Sequence, residues 1–429
     1  MHDACGCDDY QQMTRRRFMG ASLGTGVASF LGLANPQLLF GALGARRTAE
    51  SVILLWMAGG QSHIDTWDPK PGTPTGGPFE AIETAAKGIQ IAQHLPLIAR
   101  QFKDVSLIRS LTSREGSHER ATYQMHTGYA PLGSFQHSTI GSVVAKMADT
   151  HGMDLPPYVS IGGDTWPAGH LGRAYAAFRV GNPQEPTQNL DFHHGVDAQR
   201  FQKRLALLGQ LDRQFASGRA GADVVKAYAE HYQAAYDLMR SRDVSAFDLS
   251  NEPQAVRARY GMTFFGQGCL LARRLVQKKV RFVEVSLGGW DTHNNNFETV
   301  ERNCATLDQA LSALIEDLRI KELLARTVVL LCSEFGRTPT INGNNGRDHW
   351  PRVWSAVIAG GGIVGGRIIG ASTPDGAEVA SDPVTVSGLH ATLCKCLDLD
   401  AKAVHYAPDG RPIRVLQDAS GQPPAALFS

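Results

Sequence analysis

The chain has 429 residues, with 42 lysine and arginine side chains against 41 aspartate and glutamate side chains, so its net charge is close to zero. No polybasic stretch stands out, which argues against a nucleic-acid partner or an anionic membrane surface held by bulk electrostatics. Hydrophobic residues make up 43% of the chain and charged residues 19%. This composition is typical of a globular protein and excludes intrinsic disorder over most of the length.

The N-terminus carries the strongest local signal in the sequence. Three consecutive arginines, 15–17, are followed by an aromatic residue and then by an apolar, glycine- and alanine-rich segment over 20–45 without a charged side chain. This pattern resembles a twin-arginine export signal, so we expect 1–45 to be a signal peptide recognised by the twin-arginine export machinery. Cleavage would leave a periplasmic or secreted protein with no stable membrane insertion. A permanent N-terminal anchor is the alternative, although glycines and a proline interrupt the apolar segment.

Short apolar runs alternate with helical patterns over residues 46–429. The first run, Ser51–Met57, ends in glycines and is typical of a strand buried on both faces. The other predicted strands are 105–108, 280–287, 327–332 and 353–359. The predicted helices are 139–148, 198–240, 264–278, 297–318 and 385–397. This alternation predicts one α/β domain whose mostly parallel central sheet has helices on both faces, with a helical insertion at about 198–278.

Four polar segments rich in acids and histidines lie at the ends of predicted strands. They are GGQSHIDTWDPKP from Gly59, GGWDTHNNN from Gly288, SEFGRTP from Ser333 and NNGRDHWP from Asn344. The first three segments follow a strand, and the fourth precedes one. Ligands of such folds bind beyond the carboxyl ends of the strands. We therefore expect the four segments to meet at one site.

The residue types in these segments predict a divalent metal site. Asp291 and His293 are two residues apart, so on an extended segment they project to the same side and can hold one cation together. His349 and the aspartate before it supply a second mixed pair, and Asp65 and Glu334 add carboxylates from two other strands. Carboxylate and imidazole ligands suit zinc, manganese or iron, whereas a structural zinc site would use thiolates. One or two ions could be held with open positions for a substrate oxygen.

Several of these residues also have simpler roles that the sequence leaves open. Asp65 and Asp68 could cap a turn, and His63 could be an ordinary loop residue. Glu334 follows a buried strand, where an unpaired carboxylate would be costly. Either a metal ion or Arg337 must therefore satisfy it.

Together with the N-terminal signal, the four segments resemble an uncharacterised family of exported bacterial proteins within the alkaline-phosphatase and sulfatase superfamily. The resemblance covers essentially the whole chain after the signal, and it implies an alkaline-phosphatase-like fold with one or two divalent ions. One implied ion would be held by Asp65 and Glu334, and the other by Asp291, His293 and His349. Zinc is the first candidate, with manganese, iron or calcium as alternatives. The chain departs from the superfamily in its shorter Asp–His spacing at 291–293 and in having Phe335 where a histidine is usual.

The superfamily nucleophile begins a helix that runs into Thr-Gly, and the segment 117–129 resembles that helix. Counting back from Thr127 places His118 in the nucleophile position, with Ser117 one residue earlier. Ser117 as nucleophile, His118 as nucleophile or metal ligand, and a site that only binds all remain open. Arg120 could neutralise a phosphoryl or sulfuryl oxygen, or it could form a surface pair along the helix. The segment lacks the Cys or Ser with nearby Pro and Arg that formylglycine-type sulfatase chemistry needs, so that chemistry is disfavoured.

These residues favour an exported, metal-dependent hydrolase that acts on a phosphate or sulfate ester of a small molecule or a glycan. Arg120 and Arg337 would be the cationic groups of its catalytic site. The alternative is a catalytically degenerate member of the superfamily that binds a glycan or a protein partner at the same cleft. A metal-dependent isomerase or phosphomutase is a third and weaker hypothesis.

Overall fold

The computed structural model describes residues 49–133, 135–163, 167–188, 190–217, 222–418 and 420–429. The predicted signal peptide lies outside these residues, so both it and the route of export stay predictions. Within the described ranges, no helix is long and apolar enough to cross a membrane.

A nine-stranded mixed sheet forms the centre of the fold. In chain order its strands are β1 (Ser51–Met57), β2 (Val105–Thr112), β3 (Tyr158–Ile161), β4 (Phe178–Val180), β5 (Phe282–Leu287), β6 (Thr327–Cys332), β7 (Trp354–Ala359), β8 (Ile368–Ile369) and β9 (Val384–Thr385). The order across the sheet is β8-β2-β7-β6-β1-β5-β3-β4, and β9 also pairs with β2. Only β7 runs antiparallel to its neighbours, β2 and β6, among the strands of this sheet that the structure describes.

Helices cover both faces of the sheet. The described α-helices are α1 (Pro96–Ala99), α2 (His118–Thr127), α3 (Ile140–Met147), α4 (Ala198–Ala216), α5 (Ala222–Arg240), α6 (Gln254–Tyr260), α7 (Phe264–Gln277), α8 (Asn296–Ile320) and α9 (Val386–Cys396). Short 3₁₀ turns are Gly169–Leu171, Arg173–Tyr175, Arg242–Phe247, Leu249–Asn251, Leu324–Arg326 and Ala425–Leu427. Two-stranded ladders pair Ala81–Glu83 with Gln90–Ala92, Gly336–Arg337 with His349–Trp350, Ala371–Ser372 with Val379–Ser381, and Val404–Tyr406 with Pro412–Arg414.

The two faces of β1 show how the core is divided. Ile53 and Leu55 belong to a hydrophobic layer with α1, α7 and α8, whereas Val52 and Leu54 belong to a second layer with α2, α3 and α9. Because side chains alternate between the faces of a strand, an all-apolar run can fill both layers at once. The predicted fold class, a mostly parallel central sheet with helices on both faces, is confirmed.

The helical stretch at 198–278 divides into parts with different environments. Helix α4 has no buried residue, whereas α7 is buried along most of its length in the same layer as Ile53. The Thr263 side chain begins α7 by accepting a hydrogen bond from the backbone N–H of Gly266 at 3.1 Å. The exposed part of the stretch is therefore α4, whereas α5 buries Leu238 and α7 most of its length in the layer on the sheet.

The direction of the strands brings the four polar segments to one edge of the sheet. β1, β5 and β6 are parallel, so the segments that follow them leave the sheet at the same edge. β7 runs the opposite way, so the segment that precedes it also lies at that edge. Strand β2 also ends at this edge, and the chain continues from there into α2.

Candidate metal site

Tight packing between two of the polar loops places Asp291. A Cβ atom at Gly59 would lie 2.4 Å from the backbone nitrogen of Asp291, and Gly59 has a φ of +116°. Any larger residue would both clash with the Asp291 loop and strain the backbone, so only glycine fits here. The backbone N–H of Gly59 also donates a 2.9 Å hydrogen bond to Oε1 of Glu334. The glycines after β1 thus allow the loops that follow β1, β5 and β6 to pack together.

Three histidines surround one oxygen of Asp291. The distances from Asp291 Oδ1 to Nε2 are 3.2 Å for His118, 3.2 Å for His293 and 3.4 Å for His349. The Nε2 atoms of His293 and His349 are 3.0 Å apart. The structure therefore brings together Asp291, His293 and His349 from the predicted ligands and His118 from the predicted catalytic segment.

The other ring nitrogen of each histidine faces an oxygen. His118 Nδ1 is 2.7 Å from Glu334 Oε1, and His293 Nδ1 is 2.6 Å from Asp348 Oδ1. His349 Nδ1 is 2.9 Å from the carbonyl oxygen of Gly116. Carboxylate and carbonyl oxygens only accept, so each Nδ1 donates its proton. A neutral imidazole with its one N–H at Nδ1 has a lone pair at Nε2, so in that protonation state the three Nε2 atoms can serve as metal ligands.

This donor set fits a divalent ion. Ligand atoms bound tetrahedrally to one zinc at 2.0–2.1 Å lie about 3.3–3.4 Å apart. The distances from Asp291 Oδ1 to the three Nε2 atoms, and between the Nε2 atoms of His293 and His349, are 3.0–3.4 Å. The ligand atoms of His118, Asp291 and His349 all lie within 4.8 Å of one another. His118 Nε2 and Glu334 Oε2 are buried without a hydrogen-bond partner among the described residues. Imidazole with carboxylate is a set that zinc, manganese and iron accept.

Arg337 fixes the carboxylate at the centre of the cluster. The fully buried guanidinium donates to Asp291 Oδ1 at 2.6 Å, to the carbonyl oxygens of Gly59 and Gly60, and to that of Arg347 at 3.1 Å. Burial alone would raise the pKa of Asp291, but the hydrogen bond and charge of Arg337 hold that pKa at about 2. Arg337 thus pairs with Asp291, whereas the sequence had left open whether Arg337 or a metal ion is the partner of Glu334.

Glu334 instead acts on His118. The hydrogen bond from His118 to Glu334 raises the pKa of His118 above its ordinary value. An ion that binds His118 must therefore displace a proton, so metal binding at this cluster depends on pH.

The structure does not bring Asp65 into the cluster. Asp65 is completely buried and forms a two-pronged ion pair with Arg347, with Nε–Oδ2 and Nη2–Oδ1 distances of 2.7 and 2.9 Å. Ser62 Oγ and Asn296 Nδ2 also donate to Oδ2, at 2.6 and 2.8 Å. Four hydrogen bonds already occupy its oxygens, so we leave Asp65 out of the ligand set proposed below.

Two neighbours of Asp65 in the same loop are also buried. Asp68 pairs with Lys70 at 3.0 Å and Arg109 at 3.3 Å. His63 directs Nε2 to the carbonyl oxygen of Gly376 at 2.9 Å. The side chains of Asp68 and His63 therefore help to hold this loop in place.

The predicted nucleophile segment borders the cluster. Ser117 is the exposed N-cap residue of α2, and its side chain makes no capping hydrogen bond. It lies between Gly116, whose carbonyl contacts His349, and His118. Arg120, by contrast, is half exposed and forms a two-pronged pair with Glu115 at 2.7 and 2.8 Å. The surface role that the sequence allowed for Arg120 matches this contact.

Sequence reasoning missed the observed roles of three contributors to this region. Gly59 was noted only as the end of a strand, Arg347 was assigned no role, and Asp348 was expected to be half of a mixed ligand pair with His349, whereas it contacts Nδ1 of His293. A signal for Arg347 existed, because a lone arginine beside a candidate acidic site needs a carboxylate partner if it is buried. No sequence signal shows which carboxylate that is.

The chain belongs to the family described as "Protein of unknown function (DUF1501)", whose model matches residues 49–425. No curated protein has a sequence that matches this chain.

Several solved structures are similar at low identity. The PsFucS1 sulfatase from Pseudoalteromonas sp. is 14% identical with a TM-score of 0.38, over 84% of this chain and 69% of that one. Alkaline phosphatase from the Antarctic bacterium TAB5 is 12% identical with a TM-score of 0.37, over 82% and 99%. Ps i-CgsB is 13% identical with a TM-score of 0.37, over 81% and 72%. Similarities of this size say nothing about the activity of this chain.

Proposed function

We propose that this chain is a metal-dependent hydrolase of phosphate or sulfate esters, exported by the twin-arginine route to the periplasm or beyond. The ion is held by Asp291 with the Nε2 atoms of His118, His293 and His349. The observation that carries the proposal is the convergence of three imidazole nitrogens on one carboxylate oxygen while each Nδ1 donates elsewhere. Export rests on the N-terminal sequence alone.

The residues around the cluster suit an ester with an anionic group. A divalent ion bound here would polarise an ester oxygen and stabilise negative charge that develops on it. The first backbone N–H groups of α2 have no partner within the helix, so they are open to an anionic oxygen beside Ser117. The Ser117 hydroxyl, exposed and free of a capping bond, is the candidate nucleophile. Arg337 holds Asp291 ionised and in place.

Metal content and turnover test this proposal together. The full chain is expressed with its leader, and bound metal is measured by elemental analysis. Turnover is measured on an aryl phosphate, an aryl phosphodiester and an aryl sulfate with added zinc, manganese, iron or calcium. We expect near-stoichiometric metal and turnover of at least one ester. Asp291→Ala and His349→Ala should lose both metal and turnover.

A matched control separates the site from general charge loss. Asp409 is an exposed aspartate paired with Arg411 and lies outside the cluster, so Asp409→Ala should keep both metal and turnover. Full activity in Asp291→Ala would overturn the ligand assignment. Bound metal with no turnover of any ester would support the alternative, a degenerate member of the superfamily that binds a glycan or a protein partner at this cleft.

A further inference from the structure

An exposed carboxylate outside the ligand set contacts one of its histidines. Asp348 Oδ1 lies 2.6 Å from Nδ1 of His293, and the Asp348 side chain is 54% exposed. On the far side of the same ring, Nε2 faces Asp291 and His349. Asp348 therefore lies behind His293, with the imidazole between its carboxylate and the centre of the cluster.

The backbone holds Asp348 in this position. Thr338 pairs with it twice: its N–H donates to the Asp348 carbonyl at 2.9 Å, and its Oγ1 accepts from the Asp348 N–H at 3.0 Å. The next residue back, Arg347, donates its N–H to the carbonyl of Thr292 at 3.0 Å. Asp348 is thus bonded to Thr338, and the residue before it is bonded through its main chain to the loop that carries His293.

The side chain of Asn342 adds a further link between Asp348 and His293. Asn342 Nδ2 donates to the carbonyl oxygen of His293 at 3.1 Å and to Asp348 Oδ1 at 3.3 Å. At Gly346, an added Cβ atom would lie 1.9 Å from the His293 carbonyl oxygen, so the two loops are in direct backbone contact. The loops that carry the carboxylate and the imidazole are therefore joined by several contacts around the Asp348–His293 pair.

The geometry points to Asp348 as a positioning residue that fixes the orientation of His293 and keeps its proton on Nδ1, so that Nε2 is available as a metal ligand. This inference rests on the proposed function, because it concerns the same ion. A carboxylate behind a metal-binding histidine sets the ring orientation and the protonated nitrogen, and its loss costs about 10- to 100-fold in metal affinity. The neighbouring His349 supplies a ligand directly, so adjacent residues of one segment have different roles.

Cobalt binding tests the role of Asp348 without any substrate. The full chain is freed of metal with a chelator and titrated with Co²⁺, whose visible absorption spectrum reports both the affinity and the ligand geometry. Wild type, Asp348→Ala, Asp348→Asn and Asp409→Ala are compared. Asp409 is a suitable control because its side chain is 53% exposed, close to the value for Asp348. Its ion pair with Arg411 lies outside the cluster.

We expect Asp348→Ala to weaken Co²⁺ binding by about 10- to 100-fold and to change the spectrum, while its thermal unfolding midpoint without metal stays near that of wild type. Asp348→Asn should bind Co²⁺ with an affinity between those of wild type and Asp348→Ala, because its amide oxygen still accepts a hydrogen bond from Nδ1 but carries no charge. Asp409→Ala should match wild type. Wild-type affinity and spectrum in Asp348→Ala would overturn this inference alone. Failure of wild type to bind Co²⁺ would overturn the proposed function and this inference with it.

Discussion

Arg347 and Asp65 form an ion pair in which neither side chain has any exposed surface. The guanidinium satisfies its remaining donors on carbonyl oxygens, including those of Thr338 and Thr75, at 3.0 and 2.8 Å. The pair links the loop after β1 to the segment before β7. Asn296, at the start of α8, donates to the same carboxylate and joins the loop after β5 to this pair. Asp65 therefore holds together the loops that carry the metal site.

Removal of Asp65 should destabilise the fold. Asp65→Ala leaves the Arg347 charge buried and unpaired, which costs about 3–5 kcal/mol in the free energy of unfolding. Chemical denaturation of the metal-free protein measures this change. Arg352→Ala, which breaks an exposed pair with Glu378, should cost only about 0–1 kcal/mol. If Asp65→Ala instead kept its stability and lost bound metal, Asp65 would be a ligand, as the superfamily resemblance implies.

The pairing of Asp65 also shows what the sequence could and could not predict. Asp291 and His293 were found because parallel strands deliver their following loops to one edge, and that rule needs only the position of each strand. His349 precedes the antiparallel β7, so its place at this edge does not follow from that rule. The choice between a metal and an arginine as partner of Asp65 depends on a contact between residues 282 positions apart. Both residues lie in polar loops, so no local pattern distinguishes a buried carboxylate that is paired from one that binds an ion.

The direction of β7 could not be predicted from the sequence, for a related reason. A strand buried on both faces is apolar throughout, and this pattern is the same whether the strand runs parallel or antiparallel. The boundary of the helical insertion was also hard to predict from the sequence. Helices α4 and α7 are both amphipathic, and they differ only in what they pack against. The five longer strands of the sheet were predicted, since each is a continuous apolar run, whereas the short strands β3, β4, β8 and β9 were not.

Ser117 is expected to be the nucleophile of the proposed reaction. Ser117→Ala should lower turnover by at least about 100-fold, because loss of a nucleophile leaves only binding and charge stabilisation to speed the reaction. Metal content should stay unchanged, since no hydrogen bond joins the Ser117 side chain to the ligands in the described part of the chain. Rapid quenching of wild type with an aryl phosphate should show, by mass spectrometry, one added phosphoryl group on the peptide that contains Ser117.

Arg120→Ala is the control for this segment. Because Arg120 pairs with Glu115 at the surface, its loss should change turnover by no more than about 2-fold. Undiminished turnover in Ser117→Ala would show that the hydroxyl does not attack the ester. In that case water would be the nucleophile, and no phosphoryl group should appear on the peptide.

A buried ion pair beneath the site should make the stability of the fold depend on pH. His126, on α2, lies 3.2 Å by Nε2 from Glu284 Oε1 on β5, and the Tyr158 hydroxyl donates to Glu284 Oε2 at 3.0 Å. Burial alone would lower the pKa of His126, but the charge and hydrogen bond of Glu284 raise it above its ordinary value. Between the ordinary pKa of about 6.5 and the raised one, the folded state binds more protons than the unfolded state. The stabilisation from the pair is therefore fully present below pH about 6.5 and is lost as pH rises through the raised pKa.

Comparison of wild type with His126→Gln across pH 5 to 9 measures this contribution. The variant should unfold with a free energy lower by about 3 kcal/mol at pH about 5.5, because Glu284 is left buried without its cation. The difference should shrink as pH rises, since the wild-type pair loses its charge. His151→Gln, a change at an exposed histidine, should leave the pH dependence of wild type intact. A difference between wild type and His126→Gln that stayed constant or grew with pH would mean that His126 is neutral in the folded protein and that Glu284 is held by Tyr158 alone.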